Sequence, residues 1–124
     1  MAIDKTENMN RVIDFAISYA KWTKNNIYVL YIIQSQRGME NDKIIKNGIL
    51  LLDRITSTIA VKDVVATSIL ESGSIYDTII KVATEKRVKA IIMGNSTKSA
   101  WESSIGSVAV HTVHYAPCSV IVVK

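Results

Sequence analysis

Short apolar runs alternate with longer amphipathic segments along the chain, the pattern of parallel strands joined by crossover helices. Five runs read as strands. Residues 1–4 form a very short one. Residues 27–33 (IYVLYII) are apolar on both faces, as a central parallel strand buried between two helix layers has to be. Residues 61–70 mix Lys62, Asp63, Thr67 and Ser68 with apolar side chains, which predicts an edge strand. Residues 90–93 and 120–123 are again continuous and apolar.

Four amphipathic segments separate these runs. The first, residues 8–24, places Val12, Ile13, Ala16, Tyr19 and Ala20 at helical spacing, carries Arg11, Asp14, Ser18 and Lys21 on its polar face, and has Thr6 placed to cap it. The second, residues 40–60, carries a broad stripe of Ile44, Ile45, Ile49, Leu52, Ile55 and Ile59, interrupted at modest cost by Gly48. The third follows Gly73, with Ser74 and Asp77 spaced as a capping pair and Ile75, Ile79, Val82 and Ala83 facing inward. The fourth starts near Gly106 and stops before Pro117. Two connections are long: residues 34–39, and the polar stretch after Met93. Strand-to-helix loops in such folds are short, so a polar loop of about ten residues is expected to carry function.

Composition narrows this further. With 124 residues, 48% of them hydrophobic, one proline and five glycines, the chain fits one domain, residues 1–124, able to bury a real core. No apolar run reaches the roughly 18 to 20 residues a bilayer span requires. The opening Met-Ala-Ile-Asp-Lys-Thr-Glu-Asn lacks the layout of a signal peptide, so a cytoplasmic protein without a membrane role is expected. A single cysteine, Cys118, builds no internal disulfide and reads as a small core residue in preference to a reactive thiol. The net charge of +4 comes from fifteen basic residues interleaved with eleven acidic ones. The densest basic stretch, residues 81–89, contains Glu85 and lies where a helix ends, a place the helix dipole favours for cations. A nucleic-acid partner is therefore not expected.

Ligands of open parallel sheets bind beyond the carboxyl ends of the strands, where neighbouring strands send their connections to opposite faces. In the common order 3-2-1-4-5 that point lies between the first and fourth strands, and Asp4 then sits beside the Gly94 loop. Gly94 permits close backbone approach, and Gly106-Ser107 opens a helix whose first amides favour an anion. Asp4, an acceptor when ionised, suits a ribose hydroxyl or an adenine amine. The same residue types also make ordinary turns: Asp4 and Ser107 are equally at home as caps. Trp101 either covers the loop or packs it down. His111 and His114, three apart, read as helix surface or dimer contact, since no third metal ligand lies near them in sequence.

Several stretches resemble the universal stress protein family over nearly the whole chain. The opening Ala2-Ile-Asp-Lys-Thr-Glu-Asn-Met-Asn-Arg-Val-Ile-Asp-Phe-Ala16 looks like that family's first strand and helix, and Val29-Leu-Tyr-Ile-Ile33 like its second strand. Glu71-Ser-Gly73 followed by Ile79 and Ala83 matches its third connection. Ile91-Ile-Met-Gly94, Gly106-Ser-Val108 and Ala116-Pro-Cys-Ser-Val-Ile-Val-Val-Lys124 match its C-terminal signature, the most specific of the set. The resemblance implies a Rossmann-like α/β fold: a single open parallel five-stranded sheet, order 3-2-1-4-5, with helices on both faces. It also implies a homodimer and, in one branch of the family, ATP held between the first and fourth strands. Residue by residue it assigns Asp4 and Ile32 to the adenosine side, Met93, Gly94 and Ser96 to the start of the loop, and Gly106, Ser107 and Val108 to the phosphates. The chain departs from the family's nucleotide motif in three places. Thr97 stands where a second glycine belongs, only eight residues (98–105) separate it from Gly106, and Lys5 replaces a glycine after Asp4. Lys98 offers phosphate charge in return.

The expected function is thus a universal stress protein-like regulatory module that binds ATP or another adenine nucleotide, with Mg2+ accompanying ATP. The alternative is a member without nucleotide binding that acts through contacts with an unknown protein partner. No residue set supplies a nucleophile with its base, so the chain reads as a non-enzyme in which any ATP hydrolysis is slow and incidental. The loop hydroxyls, Thr97 among them, permit phosphorylation. A phosphoacceptor receiver domain is matched poorly by Asp4, Glu71 and Lys124, and Lys5-Thr6-Glu7-Asn8 is a poor cradle for a flavin phosphate. The terminal strand, residues 119–124, would be an apolar sheet edge, a liability that pairing with a second copy removes.

Overall fold

The computed structural model describes residues 1–4, 8–34, 41–95 and 105–124. Its elements run β1 (Ala2–Ile3), α1 (Met9–Thr23), β2 (Ile27–Ile33), α2 (Asn41–Ala60), β3 (Ala66–Ser72), α3 (Ile75–Glu85), β4 (Ala90–Gly94), α4 (Ser107–Tyr115) and β5 (Ser119–Val123). Strand side chains alternate between two cores. Ile27, Val29 and Tyr31 of β2, with Ile92 of β4, meet α1 and α2. Leu30 and Ile32 of β2, with Ile91 and Met93 of β4, meet α3 and α4. The unbroken apolar run of β2 follows directly: both of its faces are covered.

The hydrogen-bonded ladders correct one expectation. The strands form two parallel sheets, β1-β2-β3 and β4-β5, in place of one five-stranded ladder. The spatial order 3-2-1-4-5 survives, because β1 lies against β4. The reason is the length of β1. Its two residues are registered on Leu30 and Tyr31 of β2, and a strand that short offers too few backbone groups to pair on both sides.

Other boundaries shift for local reasons. The third strand begins at Ala66, because residues 61–63 close α2 in a turn, with Lys62 N–H on the Ile59 carbonyl, Asp63 N–H on the Ala60 carbonyl and Asp63 at a φ of 62°. Thr6 lies outside the described residues, and Asn8 holds the N-cap position of α1. Ser74 occupies the N-cap of α3 with no side-chain bond, so the Ser74–Asp77 capping pair does not form. In α2 the buried stripe is narrower than the pattern implies: Leu52, Ile55 and Ile59 are buried while Ile45 and Ile49 are exposed. Gly48 has a packing reason, since a Cβ there would stand 3.2 Å from both Tyr31 and Leu70. No helix among the described residues is long and apolar enough to cross a membrane.

The two sides of α2 give a direct test. Ile59→Ala should cost about 2–5 kcal/mol, since it empties a fully buried site, whereas Leu50→Ala, at 66% exposure, should stay within about 0.5 kcal/mol. Urea unfolding of both variants decides it: equal losses would mean that α2 packs on a different face.

Candidate functional site

β1 sends its chain into α1 on one face of the sheet, and β4 sends its chain into α4 on the other. Where these connections part, the carboxyl ends of β1, β2 and β4 border a cavity of about 370 Å³. Its walls are largely apolar: Leu30 and Ile32 from β2, Ile75 and Ile79 from α3, Val108 from α4 and Ile44 from α2. Asp4 supplies a carboxylate at its rim.

Five of the residues singled out in the sequence border this cavity: Asp4, Ile32, Met93, Gly94 and Val108. Gly106 and Ser107 stand beside Val108 at the start of α4 but do not line it. Ser96, Thr97, Lys98 and Trp101 lie outside the described residues.

The geometry gives the two glycines structural work. A Cβ on Gly94 would meet Val12 Cγ2 at 3.3 Å, so the missing side chain lets the end of β4 approach α1. The Gly106 N–H donates to both the carbonyl and the side-chain Oδ1 of Asn95, each at 3.1 Å. Ser107 is the first residue of α4, after its N-cap Gly106, and its Oγ lies 3.1 Å from the Tyr76 hydroxyl on α3. On the other side of the sheet, Asn8 donates from Nδ2 to the Val123 carbonyl at 3.1 Å, and Arg11 donates to the Lys124 carbonyl at 3.2 Å. Together these bonds tie the helix starts to the carboxyl ends of the strands.

Asn8, Tyr76 and Asn95 carry bonds that the sequence reading did not single out. Asn95 had a local signal, a polar residue directly after an apolar run, but its partner eleven residues on leaves no periodic trace. His111 packs edge-on against Tyr76 at 4.9 Å and tilted against Tyr115 at 4.7 Å, and its Nδ1 is buried without a hydrogen-bond partner among the described residues. His114 packs edge-on against Tyr115 at 4.7 Å. Among the described residues, no group of three or more His, Cys, Asp or Glu side chains is arranged to hold a metal.

The family model described as the universal stress protein family matches residues 1–124. A universal stress protein of Methanothermobacter thermautotrophicus is 37% identical over 57 residues, which make up 46% of this chain and 39% of that protein's length. The solved universal stress protein from Archaeoglobus fulgidus in complex with dAMP is 25% identical, with a TM-score of 0.79 over 99% of this chain and 94% of its own. A universal stress protein solved in complex with cAMP shares the fold at 14% identity, with a TM-score of 0.81 over 100% of this chain and 94% of its own.

Cys118, at the entry to β5, packs beside the α3–α4 core. Burial pushes its thiol up from the ordinary value, partly offset by a backbone hydrogen bond from Ile91. A raised thiol favours the folded state below the ordinary thiol pKa, and that contribution is lost as pH rises through the folded value. Cys118 should therefore react with a disulfide reagent at pH 8 more slowly than a free cysteine, and faster once urea unfolds the chain. Equal rates in both states would show the thiol to be open.

Proposed function

The chain belongs to the universal stress protein family, and on that premise we propose that it is a regulatory module that holds ATP or another adenine nucleotide between β1 and β4 and works as a homodimer. One observation carries this reading: at the seam between β1 and β4, a single cavity has a carboxylate on one lip and a helix start beside the other. At about 370 Å³ it lies toward the small end of ligand pockets, which run to roughly 1,000 Å³, and so suits a nucleoside better than a larger cofactor. Leu30, Ile32, Ile79 and Val108 offer apolar surface to a purine. Asp4 accepts hydrogen bonds from the ribose or the adenine amine. The amides of the first turn of α4 favour the phosphates, and Mg2+ would travel with the phosphates of ATP. The relatives solved with dAMP and with cAMP support an adenine nucleotide in particular.

We read the module as regulatory because its polar groups bind and position. Ser107 is engaged by the Tyr76 hydroxyl, and the nearest imidazole, His111, is held among aromatic rings. Any hydrolysis of ATP there would be slow.

The dimer reading rests on β5, which pairs with β4 along one side. α4 packs against β5 and exposes Val110 and Val113. Arg11 reaches Lys124, so the side of α1 that carries Phe15, one turn on, runs along the same edge, and Phe15 and Trp22 are exposed there. The side of β5 away from β4, flanked by these apolar side chains, is what a second copy would cover.

A second reading has its own observation. Gly94 and Gly106 already serve internal packing and an internal hydrogen bond, as expected of a member that has given up nucleotide and acts through a protein partner. Calorimetry separates the two. ATP and AMP should bind, and Asp4→Ala should weaken both about tenfold, the effect of one hydrogen bond to a charged group. Silence at millimolar ATP would decide for the protein-contact reading. Light scattering at micromolar concentration should give twice the chain mass, with Val110→Glu plus Val113→Glu shifting it to monomer; a monomeric parent would remove the dimer.

A further inference from the structure

We propose that the amino end of the sheet carries a second binding site, for a small organic oxyanion with an aromatic or apolar body, in a cavity between α1 and the turn from α3 to β4. The cavity measures about 280 Å³ and lies at the end of the strands opposite Asp4. Ile27 and Tyr28 open β2 on one side of it, and Ala90 and Ile92 of β4 stand on the other. The β1–β2 register covers only Leu30 and Tyr31, and the cavity opens just before it. Ala16, Tyr19 and Ala20 of α1 complete a largely apolar wall.

The turn after α3 brings Lys86, Arg87 and Lys89 to this cavity, and among the described residues no Asp or Glu borders it. The Lys86 ammonium lies 5.6 Å from the centre of the Tyr28 ring, which holds one positive charge over an aromatic wall. Arg87 and Lys89 are exposed, and among the described residues neither side chain makes a hydrogen bond or an ion pair. The end of α3 itself attracts cations, but a helix terminus offers only about half a negative charge. Counting Glu85 as well still leaves more than one positive charge unbalanced at the cavity mouth. A guanidinium fork matches the paired oxygens of a carboxylate or phosphate. The apolar wall adds a second requirement: it rewards a ligand with a body to bury, which a bare inorganic ion lacks. The volume lies just under the usual range of ligand pockets, roughly 300 to 1,000 Å³, so the ligand is small.

The test follows backbone amides by NMR as phenyl phosphate is added, with inorganic phosphate and benzyl alcohol as the two halves of that probe, all at one ionic strength. Phenyl phosphate should shift the amides of Tyr28, Val88 and Ala90 and saturate, and each half alone should bind at least about tenfold more weakly. Arg87 closes α3 at a φ of 49°, a position that glycine fills with less strain. Arg87→Gly therefore removes the charge and keeps the turn, so phenyl phosphate should weaken about tenfold while the urea midpoint falls no lower than the parent's. Lys89→Ser should weaken the probe as well, by loss of charge alone. The site does not depend on nucleotide binding, which the ATP titration tests separately. Three results would each overturn it: no saturable shift, or shifts confined to Gly94 and Val108 in the other cavity; inorganic phosphate binding as tightly as phenyl phosphate; or an affinity unchanged in both variants.

Discussion

A parallel strand that is apolar on both faces has to be covered on both faces, and the rest of this molecule follows from that constraint. β2 exposes isoleucine, valine and leucine in both directions, so helices must lie on either side of it. The four helices among the described residues divide into α1 with α2 and α3 with α4. A division of this kind obliges the connections leaving β1 and β4 to part, and the parting opens the cavity. Burial of the sheet and the existence of a crevice are thus two results of one requirement.

The carboxyl ends of the strands are held by side-chain bonds as well as by the sheet. Asn8 to Val123, Arg11 to Lys124, Asn95 to Gly106 and Tyr76 to Ser107 all lie at the carboxyl end of the strands. Each is a modest contribution, about 1 kcal/mol net. Their placement matters more than their sum, because no ladder joins β1 to β4 among the described residues and the seam there needs other ties. Gly94 belongs to the same arrangement: by lacking a side chain it lets β4 close on Val12 of α1.

These findings alter what the glycines of the loop signify. In the sequence, Gly94 and Gly106 read as places where backbone meets ligand. In the fold, the first makes room for a helix and the second completes a bond to Asn95. A binding site can still stand there, since Met93, Gly94 and Val108 border the cavity.

The chain's own pattern determined a good deal. β2 was legible to the residue, because a strand buried on two faces leaves an unbroken apolar signature. The stop of α4 before Pro117, and the inward faces of α1 and α3, were legible because helical spacing is a local property. The likeness of the opening and closing segments to universal stress proteins pointed to the family that matches residues 1–124. Tertiary structure decided what depends on a partner distant in sequence. Ile45 and Ile49 share the spacing of a buried stripe, yet they are exposed because the neighbours of α2 cover only part of that stripe. Val61 continues an apolar run but belongs to the turn that ends α2. Asn95 is one polar residue among many until the fold brings Gly106 within 3.1 Å of it. Periodicity records which side of an element is apolar; only packing records what stands opposite.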